Sequence, residues 1–469
     1  MTRLLQPKSV WQHLTLMPLS DPSNPLWQGA YLTRLSGFLS SWQRDNWLLR
    51  QAHGIAVALV LLLGAVAPFT STTMIGLILL ACSAAWLLLL LRDRVALTPV
   101  HLVVLVYWAI STVATAFSPV RADAIDGWIK LTLYLFLFAL LSHLLRSPRI
   151  RNWTITAYLL TALVVAAAGL RQWFFGANAL ATWVDPDSTL AGTTRVYSYL
   201  GNPNLLAGYL IPAVLFSAAA VLVWRGMGKL LAGTIALVTM ACLVLTFSRG
   251  GWIGIVAGGF VFLGLLVQTW SRTLPPPWRR WALPGLLAST AVALAVAVSA
   301  VAPLRERVSS IFSGREDSSN NFRINVWSAV VEMIKARPIL GIGPGNDAFN
   351  QVYPFYQEPG YTALSAYSVF LEISVETGVI GLLCFLWLLL VEFSHGWRCL
   401  QRLQAQASPE VSLNAFWLVA TMAAMVGMLA HGLVDTVWYR PQVSVLWWLL
   451  LALVASFSRT SPNPVPARS

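Results

Sequence analysis

Long apolar runs separated by short polar loops dominate the chain. Twelve of these runs are close to the length needed to cross a bilayer, about 17 to 25 residues with few charges. Backbone polar groups inside lipid must pair within their own segment or in a closed barrel, so each run is predicted to be a helix. The predicted spans are 52–69, 72–91, 100–117, 128–145, 153–175, 205–224, 230–247, 251–270, 281–301, 379–393, 413–429 and 443–457.

The spans predict an all-α, polytopic membrane protein with about twelve transmembrane helices. Apolar residues recur at steps of three and four in the N-terminal tail, which predicts an amphipathic helix on the membrane surface. These residues are Trp27, Tyr31, Leu35, Phe38 and Trp42. The predicted regions are 1–51 (cytoplasmic tail with the interfacial helix), 52–301 (spans one to nine), 302–378 (a long, partly helical outer segment), 379–457 (spans ten to twelve) and 458–469 (a proline-rich, disordered tail).

Composition and charge agree with this class. Apolar residues make up 57% of the chain and charged residues only 10%, which excludes an ordinary water-soluble protein. Of the 31 basic residues, 19 lie on one side of the predicted membrane and only four in the short loops of the other. Because basic residues favour the cytoplasmic side, both termini are predicted to be cytoplasmic in an inner (plasma) membrane. The net charge of +13 is therefore a topology signal, and a nucleic-acid partner is excluded.

The remaining composition indicates no cofactor. Four cysteines lie in or beside apolar runs without a CxxC pair, so neither a disulfide framework nor a zinc site is expected. No apolar run occurs within the first 30 residues, so a cleavable signal peptide is not expected. The bilayer is the one certain partner, and the sequence does not indicate an oligomeric state.

Polar residues collect at the predicted outer side, where two motifs carry arginine. RVYSYLGNPNLLAGY begins at Arg195 and contains Asn202 and Asn204 just before span six. An asparagine there can cap the helix and leave its first amides open to an anion, or simply form an Asn-Pro turn. TFSRGGW places Arg249 in a tight turn, where adjacent glycines would allow a ligand to approach the backbone. The alternative for Arg249, as for Lys130, is a side chain that reaches the membrane interface.

The long outer segment adds further candidates for anion or phosphate binding. Arg323 and Trp327 are one helical turn apart, so both can face one cleft, and Arg337-Pro338 is predicted to end their helix. GIGPGN, which ends at Asn346, superficially resembles a phosphate loop. It lacks the Lys-Ser/Thr ending and a preceding strand, so a structured turn is the better interpretation.

Two pairs of residues spaced i, i+4 are candidates for acid-base chemistry. Glu372 and Glu376 precede span ten and are acid or base candidates, cation ligands or arginine partners. His431 and Asp435 leave span eleven on the side of the arginines, so the carboxylate is predicted to orient the imidazole.

These motifs in this order resemble the O-antigen ligase and polymerase-like membrane proteins. The similarity is closest to the cyanobacterial IctB family of inorganic-carbon-accumulation proteins. It rests on the motifs above together with GREDSSNNFRINVW from Gly314 and HGLVDTVWYRP from His431. The resemblance implies an O-antigen-ligase-like fold with a large periplasmic loop. In the ligases, arginines bind a lipid-linked diphosphate sugar, and Arg249 and Arg323 match them. A ligase loop histidine serves catalysis, and Tyr367 stands at its position.

Three functions follow as hypotheses. The first is transport or uptake of a small anion, which the resemblance implies to be bicarbonate, through a vestibule of Arg195, Arg249 and Arg323. The second is glycosyl transfer from a lipid-linked diphosphate saccharide, with the arginines neutralising the diphosphate. Tyrosine, with an ordinary pKa near 10, is a poor general base, which counts against the second function without excluding it, since His431 lies on the same side. The resemblance to the IctB family favours transport. The third is a non-catalytic membrane partner in carbon metabolism.

Overall fold

The computed structural model describes residues 7–20, 47–92, 97–177, 195–270, 275–300, 302–309, 314–405 and 409–457, and this part of the chain is helical and free of strands. The α-helices are α1 (Pro7–Leu14), α2 (Trp47–Val66), α3 (Thr72–Arg92), α4 (Pro99–Ala116), α5 (Arg121–Leu144), α6 (Pro148–Phe175), α7 (Pro203–Val223), α8 (Met227–Leu245), α9 (Arg249–Trp270), α10 (Pro276–Ala300), α11 (Ala302–Ser309), α12 (Ser318–Ala336), α13 (Asn346–Val352), α14 (Val369–Ala405), α15 (Pro409–Gly432) and α16 (Pro441–Ser456).

The prediction of a polytopic helical membrane protein is confirmed. Ten of the described helices are long and apolar enough to cross a bilayer: α2 to α9, α14 and α15. The ninth predicted span is the 25-residue helix α10, and the twelfth is the shorter apolar helix α16 of 16 residues. The predicted interfacial helix around residues 27–42 and the tail 458–469 lie outside the described residues.

Helices α7, α9 and α15 pack together as the centre of the bundle. Glycines let α9 and α15 approach backbone to backbone, because a Cβ at Gly254 would lie 2.6 Å from the carbonyl oxygen of Gly427. A Cβ at Gly258 would lie 2.9 Å from the carbonyl oxygen of Ala423. Small residues at a helix crossing are a common means of tight association between membrane helices. This glycine seam fixes the two helices whose ends carry Arg249 and His431.

The segment between α11 and α14 forms a second, smaller core. Helix α12 buries Val326, Val330 and Met333 against Phe349 and Tyr353, which follow it in the chain. Helix α12 ends at Ala336, as the Arg337-Pro338 pair predicts. The small core therefore holds α12 close to the end of the bundle at which α9 begins.

Helix α14 contains a break where the sequence places the start of span ten. Gly378 has a φ of +68°, which interrupts the helical backbone between the segment carrying Glu372 and Glu376 and the long membrane helix. A Cβ at this position would also lie 2.1 Å from the carbonyl oxygen of Ile339, so glycine alone fits.

Candidate functional site

The arginine cluster, defined here as Arg195, Arg249 and Arg323, brings together three distant parts of the chain. Arg249 begins α9 and its side chain is only 7% exposed. Its Nη2 donates to Oδ1 of Asp317 at 2.8 Å and also contacts the hydroxyl of Ser319. The same Asp317 oxygen accepts from the amide of Asn320 and caps α12. Asp317 therefore starts α12 and ties that helix to the turn before α9.

A chain of polar contacts joins the other two arginines. Arg195 donates to the Thr246 carbonyl at 3.0 Å and to Oδ1 of Asn204 at 3.3 Å. The Asn204 amide donates to Oδ2 of Asp435 at 2.6 Å, and Nη2 of Arg323 lies 3.5 Å from the same oxygen. Asn204 and Asp435 thus lie between Arg195 and Arg323, and they separate guanidinium groups that would otherwise repel each other.

The two carboxyl groups that pair with the arginine cluster, those of Asp317 and Asp435, differ in pKa. Burial opposes the charge of Asp317, but Arg249 and hydrogen-bond donors outweigh it and hold the pKa of Asp317 below its ordinary value. Burial dominates at Asp435 and raises its pKa, although Arg323 and Asn204 act in the opposite direction. The Arg249–Asp317 pair is therefore the firmer one, and the Arg323–Asp435 pair is the more easily broken.

Of the three arginines in the cluster, Arg323 makes the longest polar contacts. Besides its 3.5 Å contact with Asp435, it donates to the Ser319 carbonyl at 3.4 Å, a long hydrogen bond. Its Nε is buried without a hydrogen-bond partner among the described residues. A buried donor without an acceptor costs free energy, so an anion that accepts from this guanidinium would be favoured.

Trp327 and Tyr367 stand beside Arg323. The Trp327 indole donates to the carbonyl oxygen of Tyr367 at 3.3 Å, and Phe322 packs edge-on against the phenol ring. Tyr367 has a φ of +49°, a backbone conformation that is unusual for a bulky residue. Burial, followed by the charge of Asp435, raises the pKa of this phenol well above its ordinary value. Tyr367 is therefore protonated at neutral pH and cannot act as a general base in this state.

The predicted pairing of His431 with Asp435 is wrong. The i, i+4 argument requires a continuous helix, but α15 ends at Gly432 and the chain turns before Asp435. Both ring nitrogens of His431 are buried without a hydrogen-bond partner in the described part of the chain. The ring instead packs against the turn that contains Arg249. The contact is close: a Cβ at Gly250 would lie 2.6 Å from Cδ2 of His431.

Asn202 occupies a structural position. Its side-chain oxygen accepts from the amides of Asn204 at 2.7 Å and of Leu205 at 3.4 Å, and it caps α7. Two of the amides that the sequence leaves open to an anion are therefore already occupied. The same capping turn presents the side chain of Asn204 to Arg195 and Asp435.

The GIGPGN segment is a structured turn, which is the preferred interpretation from the sequence. Its amides at Ile342 and Gly343 donate to the carbonyls of Val375 and Glu376, each at 2.9 Å. The Gly345 amide donates to Oε1 of Glu376 at 2.6 Å. The amides that would cradle a phosphate are thus bonded to α14, and the turn seals the side of a cavity.

Glu372, Glu376 and Asn346 lie in this cavity and not among the arginines. The aromatic cavity, as we name it, has a volume of about 410 Å³ and lies between α4, α5, α14 and α16 beneath the GIGPGN turn. Asn346 donates from its side chain to the Leu364 carbonyl at 2.8 Å. Lys130, interpreted from the sequence as an interfacial lysine, instead pairs with Asp347 at 2.8 Å at an exposed position of the wall.

Several residues of both sites escape sequence reasoning. Asp317 reads only as a helix cap, and nothing along the chain indicates its pairing with Arg249, 68 residues away. The aromatic residues of the cavity come from different helices, so no local motif unites them; among them are Tyr107, Tyr134, Trp438, Trp447 and Trp448. Two features of the sequence could have indicated the cavity: Lys130 inside a predicted span, and the tryptophans Trp438, Trp447 and Trp448 near the last span.

The comparison with known proteins concerns the second half of the chain. Residues 232–386 match the family model described as O-antigen ligase. The matched segment contains Arg249, Arg323, Tyr367, Glu372 and Glu376, whereas Arg195 and Asp435 lie outside it. No curated protein matches the chain. The protein is thus a multi-pass helical membrane protein with an O-antigen-ligase-like segment; the narrower resemblance to the IctB family is not confirmed.

Proposed function

We propose that this protein is a membrane glycosyltransferase of the O-antigen ligase type that acts on a saccharide carried by a lipid diphosphate. The arginine cluster is the site to which we assign the diphosphate. The observation that carries the proposal is Arg323, a largely buried guanidinium inside the O-antigen-ligase segment whose Nε has no partner among the described residues. Planar guanidinium groups bind phosphate oxygens in a bidentate manner, which suits this role.

The position of the cluster supports a lipid-linked ligand. Arg249 is the first residue of a membrane-spanning helix, and Arg323 reaches the same region from α12. A diphosphate on a lipid tail would lie at this level, with the tail among the helices and the sugar toward the long segment. Binding would replace the 3.5 Å contact between Arg323 and Asp435 and leave the shorter pair of Arg249 with Asp317 in place.

The proposal does not assign catalysis to Tyr367, whose phenol is protonated at neutral pH. Bicarbonate transport, the function favoured by the sequence, gains no support from the family comparison, which matches ligases.

The test uses the purified full chain in liposomes supplied with a lipid-linked diphosphate saccharide as donor and a second saccharide as acceptor. The sugar leaves the lipid diphosphate and forms its new bond to an acceptor hydroxyl, whose proton is released. We expect donor consumption by the parent protein and its loss in Arg323→Gln. Arg315→Gln is the matched control, because Arg315 lies in the same segment but is exposed and contacts only asparagines among the partners described. Intact donor in the presence of the parent protein would refute the proposal. Uptake of labelled bicarbonate into the same liposomes, without donor consumption, would establish transport instead.

A further inference from the structure

The aromatic cavity has the size of a small-molecule site. Its volume of about 410 Å³ falls within the usual range for ligand pockets. Glu372, Glu376, Trp438, Trp447 and Trp448 contribute to its wall. The cavity thus combines a few polar groups with extensive aromatic surface, as ligand sites do.

Two polar groups of the wall have unused hydrogen-bonding capacity. Glu372 is only 6% exposed; its Oε2 accepts from the Ala366 amide at 2.6 Å, whereas Oε1 has no partner among the described residues. The indole Nε1 of Trp438 is likewise buried without an acceptor in the described part of the chain. Both residues line the cavity, so a small rotation of each side chain would bring an acceptor and a donor to its surface, and a hydroxyl group can satisfy either one.

The aromatic residues form flat, paired surfaces. The rings of Trp438 and Trp447 stack with centroids 4.0 Å apart, and those of Tyr134 and Trp448 stack at 6.5 Å. Aromatic rings that line a cavity, as those of Trp438, Trp447 and Trp448 do, can pack against the apolar face of a sugar ring, whose hydroxyls remain free to reach polar groups at the edge. An apolar ligand would leave Oε1 of Glu372 and Nε1 of Trp438 without partners, which is costly in a buried site.

An anionic ligand would meet no buried basic side chain among the described residues of the cavity wall. Lys130 and Asp347 neutralise each other at an exposed position, and Arg440 is exposed beside the Tyr439 ring. The carboxylates of Glu372 and Glu376 remain in the interior. This contrasts with the arginine cluster, so the two sites suit ligands of opposite character.

We infer that the aromatic cavity binds a neutral, hydroxyl-rich saccharide, with Glu372 accepting from a sugar hydroxyl and Trp438 donating to another. The segment from Asp435 to Tyr439 joins the two sites, since Asp435 contacts Arg323 while Trp438 and Tyr439 line the cavity. If the arginine cluster holds the diphosphate donor, as proposed above, the saccharide in the cavity is the acceptor. That role rests on the proposed function, but saccharide binding does not.

The experiment measures binding by calorimetry to the full chain in nanodiscs, with three kinds of probe. The saccharide probes are lactose, maltose and N,N′-diacetylchitobiose; spermidine represents organic cations and sodium pyrophosphate represents the donor diphosphate. We expect binding of at least one saccharide and an affinity loss of about tenfold or more in Glu372→Ala, because the substitution removes the acceptor oxygens and leaves the sugar hydroxyl unpaired. Glu332→Ala is the control, since Glu332 is exposed and paired with Lys335.

A second variant guards against a folding defect. Trp438→Phe keeps an aromatic ring but removes the indole donor, and we expect it to weaken saccharide binding without changing pyrophosphate binding. Pyrophosphate binding that depends on Arg323, combined with saccharide binding that is absent or equal in all variants, would overturn this inference and leave the proposed function standing. Binding of spermidine but of no saccharide would also overturn it. Saccharide binding that depends on Glu372, without donor consumption, would support the cavity and refute the proposed function.

Discussion

The ion pair between Arg249 and Asp317 offers the sharpest test of how the arginine cluster is assembled. The change Asp317→Asn removes the negative charge but keeps a side-chain oxygen that can cap α12. The side chains of Arg249 and Asp317 are 7% and 16% exposed, so the pair is largely buried. Breaking a buried pair by removing one partner costs about 3 to 5 kcal/mol, and the partial exposure of Asp317 places our expectation near the lower limit.

The assay is unfolding by sodium dodecyl sulfate in mixed micelles, followed by tryptophan fluorescence. We expect Asp317→Asn to lower the free energy of unfolding by about 3 kcal/mol. Glu316→Gln is the control, because it removes the neighbouring carboxylate, which is exposed. A double-mutant cycle with Arg249→Gln should give a strong coupling energy. A loss below about 0.5 kcal/mol, the range of ordinary surface substitutions, or strictly additive effects would refute the reasoning.

Two further predictions concern a helix contact and a titration. A Cβ at Gly127 would lie 1.9 Å from the carbonyl oxygen of Pro344, so Gly127→Ala should lower the thermal unfolding midpoint. Gly54→Ala is the control: a Cβ there would meet no atom within 4 Å, so the midpoint should stay unchanged or rise. Because burial raises the pKa of Asp435, its negative charge beside Arg323 is lost as the pH falls through that raised value, so sulfate affinity should increase toward acid pH. In Asp435→Asn the sulfate affinity should not change as the pH falls. The same pH dependence of sulfate affinity in Asp435→Asn as in the parent protein would contradict the assignment of the titration to Asp435.

Much of the fold could be predicted because apolar runs specify membrane helices locally. The break at Gly378, between Glu372 and the long membrane helix, lies where the sequence starts span ten. The end of α12 follows from a proline that disfavours helical backbone in the residue before it. In each case the signal and its effect are a few residues apart, so no tertiary information is needed.

The candidate site was predictable only in part, because its contacts join distant segments. Arg249 and Arg323 were recognised as residues, but their partners come from α12 and from the turn after α15. The pairing of His431 with Asp435 failed because spacing along a chain places residues on one face only while the helix continues. Helix ends are decided by local turns that apolar periodicity does not report.

The separation of two sites was also beyond sequence reasoning. Asn346 was grouped with the arginines as an anion- or phosphate-binding candidate because it ends the GIGPGN segment, yet it lines the aromatic cavity with Glu376. Membership of that cavity depends on how α5, α14 and α16 pack against each other. A pattern of apolar positions defines which faces of helices are buried but not which partner each face meets.

The glycine seam between α9 and α15 has a mechanical consequence. A contact made by backbone atoms has no side-chain rotamers through which it can adjust. The seam is therefore expected to be a rigid helix–helix contact. The seam therefore fixes the position of Arg249, at the start of α9, relative to His431, at the end of α15. Helix α12 contacts this unit through side chains, in the pairs of Arg249 with Asp317 and of Arg323 with Asp435, and such contacts retain rotamers that the seam lacks.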